Sequence, residues 1–190
     1  YNYCRNNMEQ NIKRQQPLMV TIRCCAYNQE AYIRDCLEGF VMQKTNFRFE
    51  AIVHDDASMD GTAEIIKEYA EKYPDIIKPI LETENQYSKH DGSLGRIMDE
   101  HTHGKYVAYC EGDDYWTNQH KLQKQVDYLE KHPECSASVH TANVAYGDRV
   151  IYTNLRVKDV MMPGFATPLQ SARMYVKGKT YCVNFRVSFI

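Results

Sequence analysis

At 190 residues and 22.2 kDa the chain has the length of one domain or part of one. Hydrophobic residues make up 43% and charged residues 25%, with nine Gly and six Pro, which excludes disordered, collagen-like and coiled-coil classes. The net charge of -2 argues against a general nucleic-acid binder, yet residues 149–190 carry seven Lys/Arg against Asp159 alone, a basic end on an acidic body.

Residues 1–16 read as a polar lead. The run PLMVTIRCCAYN then predicts a buried strand, with β-branched Val20, Thr21 and Ile22, ending at Asn28. Ile33, Cys36, Leu37, Phe40 and Val41 recur at i, i+3, i+4, i+7 and i+8 and predict an amphipathic helix. FEAIVHDD predicts a second buried strand, and ASMDGT leads into a helix carrying Ile65, Ile66, Tyr69, Ala70 and Tyr73 that Pro74 ends. IIKPILE suits a third strand at a sheet edge, because Pro79 cannot donate to a ladder. After the polar stretch NQYSKHDG, Ser93 is expected to cap a short helix bearing Leu94, Ile97 and Met98, and KYVAYCEGDD predicts a further strand. Thr117 or Asn118 caps the next helix, which carries Leu122, Val126 and Leu129 and stops at HPE, before a strand near SASVHTANVAY. Beyond Gly147 the signal fades to short strands and a loop around MMPGFATP. Alternating strands and helices imply an α/β fold: a mostly parallel central sheet covered on both faces, in three layers, α/β/α.

Seven cysteines without a CxxC pair read as reduced thiols, and Cys24, Cys25 and Cys110 fall in apolar runs where packing is their expected role. No run approaches the roughly 18–20 apolar residues of a membrane span, and the opening YNYCRNNMEQ lacks the apolar stretch of a signal peptide. A cytoplasmic location follows, with the basic end able to rest on the inner membrane face. His101 and His103 are expected at the surface, because no further metal ligands stand near them, and His54 on a sheet face. Both ends of the chain read as cut: it opens on Tyr1, Met8 would suit a start, and VNFRVSFI resembles an internal strand.

Ligands of open α/β sheets bind outside the carboxyl ends of the strands. Three predicted strand ends carry polar or acidic clusters: Tyr27-Asn28-Gln29-Glu30, Asp55-Asp56-Ala57-Ser58 and Glu111-Gly112-Asp113-Asp114. The carboxylates of these clusters would then face one crevice, where two unit charges 4 Å apart repel by about 4 kcal/mol at an effective dielectric near 20. A divalent ion, Mg2+ or Mn2+, would relieve that repulsion and bridge carboxylates to a diphosphate. GxxxxGK[ST] and GxGxxG motifs are absent, which removes the main support for P-loop and dinucleotide enzymes.

The segments VTIRCCAYNQEAYIRDCLEGFVMQ, FEAIVHDDASMDGTAEII and KYVAYCEGDDYWTNQHKLQKQVDYL, in this order, resemble the nucleotide-binding half of family 2 glycosyltransferases with a GT-A (Rossmann-like) fold. The resemblance covers roughly residues 18–146 and implies a nucleotide-sugar-binding core over 17–146, with 147–190 the start of an acceptor-side region. It implies that Ala26, Tyr27 and Asn28 lie along the nucleoside, that Glu30 contacts it, and that Asp56 accepts from the imide N–H of uracil or thymine. Asp55 then supports the loop. Glu111, Gly112 and Asp113 match the family's Asp-x-Asp motif, with Asp113 the metal ligand and Glu111 at ribose or metal-bound water. Asp114 and Trp116 are matched as well. Arg96, with Lys89 and His90 behind it, is by loop position a candidate diphosphate or base contact.

The implied reaction moves a sugar, with inversion, from a UDP-linked donor to a sugar or lipid-linked hydroxyl acceptor in polysaccharide or glycolipid synthesis. No acidic residue after Asp114 stands in a convincing context for the base, which is therefore expected beyond Ile190. Two other readings are a catalytically inactive nucleotide-binding module on the same fold and a Mg2+-dependent phosphoacceptor signalling domain.

Overall fold

Alternation in the first apolar run builds the strand around which the rest is arranged. The computed structural model describes residues 16–135, 138, 140, 142–146, 149–155, 175–176 and 179–180. In β1 (Leu18–Ala26), Val20, Ile22, Cys24 and Ala26 turn to one face and are buried, because successive strand side chains point to opposite sides. The predicted stripe of α1 (Ile33–Val41) covers them with Ile33, Cys36, Leu37 and Phe40. Full burial of each large apolar side chain contributes about 1.5–3 kcal/mol.

β2 (Arg48–Asp55), α2 (Thr62–Lys72), β3 (Ile77–Leu81), α3 (Ser93–Glu100), β4 (Tyr106–Tyr109) and α4 (Lys121–Lys131) follow. The four strands form an all-parallel sheet in the order β3-β2-β1-β4. Pro79 stands opposite Val53 on the edge strand, as its missing N–H requires. α1 and α2 share one face, joined by the Arg34–Glu68 ion pair at 2.8 Å and by the Tyr69 hydroxyl donating to Glu38. α4 adds Leu122, Val126 and Leu129 to the same apolar cluster. α3 lies against the opposite face, where Arg23 of β1 meets Asp99. The three-layer α/β/α arrangement is the expected one, and among the described residues no helix is long and apolar enough to cross a membrane.

Three local expectations differ. The strand near SASVHTANVAY is β5 (Ala142–Tyr146), and it leaves the parallel sheet to pair antiparallel with β6 (Arg149–Leu155). Gly92, at φ 80°, is the N-cap of α3, so Ser93 is the first helical residue and its hydroxyl donates to the Gln86 carbonyl. α4 starts only at Lys121, because the Asn118 side chain accepts from the His120 N–H and holds a turn there. Further on, β7 (Tyr175–Val176) and β8 (Lys179–Thr180) are short and antiparallel. The polar lead to residue 15 and the MMPGFATP loop lie outside the described residues.

The chain reverses direction between β3 and β4, and β4 docks on the far side of β1, which opens a crevice at the carboxyl ends of β1 and β4. Gly104 permits that docking. A Cβ there would stand 2.4 Å from the Thr21 backbone nitrogen, while the Gly104 N–H donates to the Thr21 hydroxyl. Gly104→Ala is expected to cost about 3 kcal/mol, because the obstruction is backbone and cannot rotate away. Chemical denaturation checks this, and an unchanged midpoint would contradict it.

Candidate functional site

The β1 and β2 exits are laced to each other. Asn28 donates its N–H to the Ser58 hydroxyl and accepts from the Met59 N–H through Oδ1. Gln29 N–H donates to Thr62 Oγ1, Glu30 N–H to Asp60 Oδ2, and Gly61 N–H to Glu30 Oε2. Asn28 at φ 52° and Ala57 at φ 63° occupy the left-handed region, at a cost of roughly 1–2 kcal/mol for a residue with a Cβ. The lattice of bonds holds them there.

Asp60 sits at the centre of this lacing. Burial alone would raise its carboxyl, but the Thr62 hydroxyl and the N–H groups of Glu30 and Thr62 outweigh it and hold it below the ordinary aspartate range. A depressed carboxyl contributes stability that is complete above the unfolded value of about 3.9 and is lost as pH falls through the lower folded value. The Glu30 and Thr62 amide resonances are therefore expected to hold their positions down to pH about 4 and to move only below it. Movement centred above that pH would contradict the assignment.

A cleft of about 640 Å³ opens at the carboxyl ends of β1 and β4, within the usual size of small-molecule sites. Ala26, Tyr27, Asp56 and Glu111 line it, so four of the expected residues converge. Its opposite wall is the 85–95 segment, a 3-10 turn (Tyr87–Lys89) followed by the start of α3. Asp56, 4% exposed, anchors that wall. Its two carboxylate oxygens accept from the Gln86 and Tyr87 N–H groups at 2.6 and 3.0 Å, and its carbonyl accepts from the Asn85 side chain.

Glu111, Gly112, Asp113 and Asp114 form a turn closed by Asp114 N–H to the Glu111 carbonyl, with Gly112 N–H donating to the Cys25 carbonyl. The buried thiols of Cys36 and Cys110 point at the carbonyls of Glu111 and Asp114. Gly112 has no room for a side chain: a Cβ would lie 2.3 Å from Gln29 Oε1 and 3.0 Å from the Ala26 Cβ. Trp116 is buried behind the turn, edge-on to Phe40, with the Lys121 ammonium over its ring.

The expected crevice lined by all the strand-end carboxylates is thus not what forms. Glu30 caps the loop before α2, Asp55 Oδ2 accepts from the Ser58 N–H, and only Asp56 and Glu111 line the cleft. Strand-end carboxylates satisfy backbone N–H groups first, which relieves the like-charge repulsion without a cation. Arg96 is 61% exposed and does not line the cleft; its guanidinium donates to the Asp91 carbonyl and faces the Asp91 carboxylate. Asp113 is exposed, and no cation pairs with it among the described residues. His54 is fully buried on the sheet face beside Glu82, and His101 and His103 are exposed, as expected. Cys24 and Cys110 are core residues, whereas Cys25 alternates to the other face and lines the cleft; burial and the Glu111 carboxylate push its thiol up and keep it protonated.

Sequence reasoning missed Arg23, Tyr109 and the Asn85-Gln86-Tyr87 wall, all of which line the cleft. The signal for Arg23 was present as a lone charge inside an apolar strand. Among the described residues no group of three or more His, Cys, Asp or Glu is placed to hold a metal. Glu111 and Asp113 offer two oxygen donors, which suits an ion that draws its remaining ligands from phosphate and water.

The family model for glycosyl transferase family 2 matches residues 21–185. An uncharacterised protein of Mycobacterium tuberculosis is 46% identical over 131 residues, covering 68% of this chain and 36% of that protein. The putative glycosyltransferase EpsE of Bacillus subtilis is 39% identical over 106 residues, 56% of this chain and 36% of that protein. This chain therefore spans about a third of the length of these relatives. Two solved structures share the fold at low identity. The S. aureus TarS fragment 1-349 in complex with UDP matches with a TM-score of 0.54 at 22% identity, covering 72% of this chain and 38% of that one. The mannosyltransferase PcManGT from Pyrobaculum calidifontis, in complex with GDP-Man and Mn2+, matches with a TM-score of 0.52 at 23% identity, covering 77% and 43%. The central parallel sheet is that of GT-A glycosyltransferases. Since the family match runs through all four parallel strands, the cleft wall and the acidic turn, this chain belongs to glycosyl transferase family 2.

Proposed function

We propose that the protein binds a nucleoside-diphosphate sugar, uridine-linked, and transfers its sugar with inversion to a sugar or lipid-linked hydroxyl. The observation that carries this reading is the switch-point cleft, where the β1 exit, the Asp56-anchored wall and Glu111 meet. Ala26, Tyr27 and the 85–95 wall would enclose the nucleoside. The acidic turn then faces the diphosphate, with Asp113 and Glu111 as the residues that would hold Mg2+ or Mn2+. Such an ion stabilises the charge of a departing diphosphate as a Lewis acid. The TarS complex with UDP and the PcManGT complex with GDP-Man and Mn2+ support a nucleotide and a divalent ion as ligands of this fold. Asp56 holds the wall through the Gln86 and Tyr87 N–H groups, and its remaining lone pairs would accept the imide N–H of uracil.

Residues 147–190 belong to the acceptor side in this reading, and their basic character suits an anionic, lipid-linked acceptor at a membrane surface. Nucleotide release tests the proposal. With UDP-glucose or UDP-N-acetylglucosamine and Mn2+, the protein is expected to liberate UDP, and chelation of the metal to stop it. Tight UDP binding with no release from either donor would favour an inactive binding module.

A further inference from the structure

The cleft contains one guanidinium, and neither the lacing of the loops nor the acidic turn uses it. Arg23 projects from the middle of β1 into the cleft floor and is 14% exposed. Its Nη1 meets Asp99 Oδ1 of α3 at 2.6 Å, and its Cζ lies 5.5 Å from the centre of the Tyr109 ring. Among the described residues lining the cleft, it is the one Lys or Arg. A charge in a strand interior carries a desolvation cost that an apolar residue would avoid. Asp99 and the Tyr109 ring hold the arginine here, and among the described residues its side-chain hydrogen bond to Asp99 uses Nη1, which leaves further N–H groups facing the cleft.

Position narrows what Arg23 can meet. Asp113 does not line the cleft, so the metal and diphosphate end lies at the acidic turn and the enclosed part beyond Glu111 is left for the nucleoside. The Asp56 oxygens each accept one backbone N–H; as an acceptor-only group, Asp56 can take a base N–H but cannot meet a base carbonyl. Guanidinium is a donor five times over and never an acceptor. It matches a base edge that presents carbonyl oxygen and rejects one that presents an amino group.

We infer that Arg23 is a specificity-determining residue, donating from the cleft floor to a carbonyl of the donor's nucleobase and selecting keto bases against amino bases, with Asp99 as its positioning residue. This rests on the donor-binding reading above. Uracil differs from cytosine at this edge by a carbonyl in place of an amino group, so the ratio of UDP to CDP affinity reports the contact directly. A loss of fold or of cleft shape would weaken both nucleotides together and leave the ratio alone.

The test is titration of the protein with UDP, CDP, GDP and ADP in the presence of Mn2+, for the native chain, Arg23→Met, Arg23→Lys and Asp99→Asn. The native chain is expected to bind UDP at least roughly tenfold more tightly than CDP, and GDP more tightly than ADP. Arg23→Met should bring both ratios to about one, and Asp99→Asn should lower them part of the way, because the guanidinium keeps its charge but loses its tether. If Arg23→Met does not fold, Arg23→Lys carries the test: it retains the charge and a partner in Asp99 but not the planar fork, and its ratios must still fall. Equal binding of UDP and CDP by the native chain would overturn the inference, as would an unchanged ratio in a folded Arg23 variant. Failure of all four nucleotides to bind would instead overturn the donor-site reading on which it rests.

Discussion

Replacing Trp116 with alanine is expected to destabilise the protein by about 3–5 kcal/mol and to loosen the acidic turn. Trp116 is 4% exposed, and its ring is 5.1 Å from that of Phe40 in an edge arrangement at 62°. A further contact is the Lys121 ammonium, 4.2 Å from the ring centre, itself buried and bonded to Gln125. Removal leaves a large cavity between α1 and α4 and strips a buried cation of its aromatic partner. Trp116, which the resemblance placed among the candidate site residues, is packed directly behind the acidic turn. Trp116→Phe, which keeps the contact with Phe40, should lose less than half as much. Trp116 is the chain's one tryptophan, so far-UV circular dichroism in urea is the appropriate probe. A loss below about 1 kcal/mol, typical of surface substitutions, would remove Trp116 from the core.

Asp113→Asn is expected to weaken Mn2+-dependent nucleotide binding on the order of 100-fold while leaving the fold intact. The carboxylate is exposed and makes no ion pair among the described residues, so its loss costs little stability. With Glu111 and Asp113 as the carboxylates proposed to hold the ion, each would carry a large share of the binding, and even outer-shell changes at metal sites cost about 10–100-fold. Titration with UDP and Mn2+ alongside a thermal melt separates the two effects. An Asp113→Asn protein that melts like the native one and keeps its metal-dependent UDP affinity would place the ion elsewhere.

Most of the scaffold was legible in the sequence because period is a local property. The alternation of Val20, Ile22, Cys24 and Ala26 and the stripe Ile33, Cys36, Leu37 and Phe40 specify which faces meet, and those faces do meet. Pro79 marked its own strand as an edge. Partnership was less legible: nothing in ANVAY says whether it joins the parallel sheet or pairs with the strand after it, and it does the latter.

At the site, the acidic residues were found but their allegiances were not. Glu30 looks like a ligand-binding carboxylate in sequence, yet it is engaged by the Gly61 N–H of the β2 exit loop, a choice that depends on how two distant turns are juxtaposed, whereas Asp55 accepts locally from the Ser58 N–H, the loop contact its expected role calls for. Arg23 inside its strand was passed over, and Arg96 was named because it follows a polar loop, where functional residues concentrate. Asp91 draws it away, while alternation in β1 aims Arg23 into the cleft.

Calorimetric titration of the protein with UDP, with Mn2+ and then with the metal chelated, tests the central claim most directly. UDP binding that requires Mn2+ is the expected result, because in the proposed reading the cleft would supply the nucleoside wall and the acidic turn only part of a metal shell. Absence of UDP binding, or binding indifferent to the metal, would contradict it.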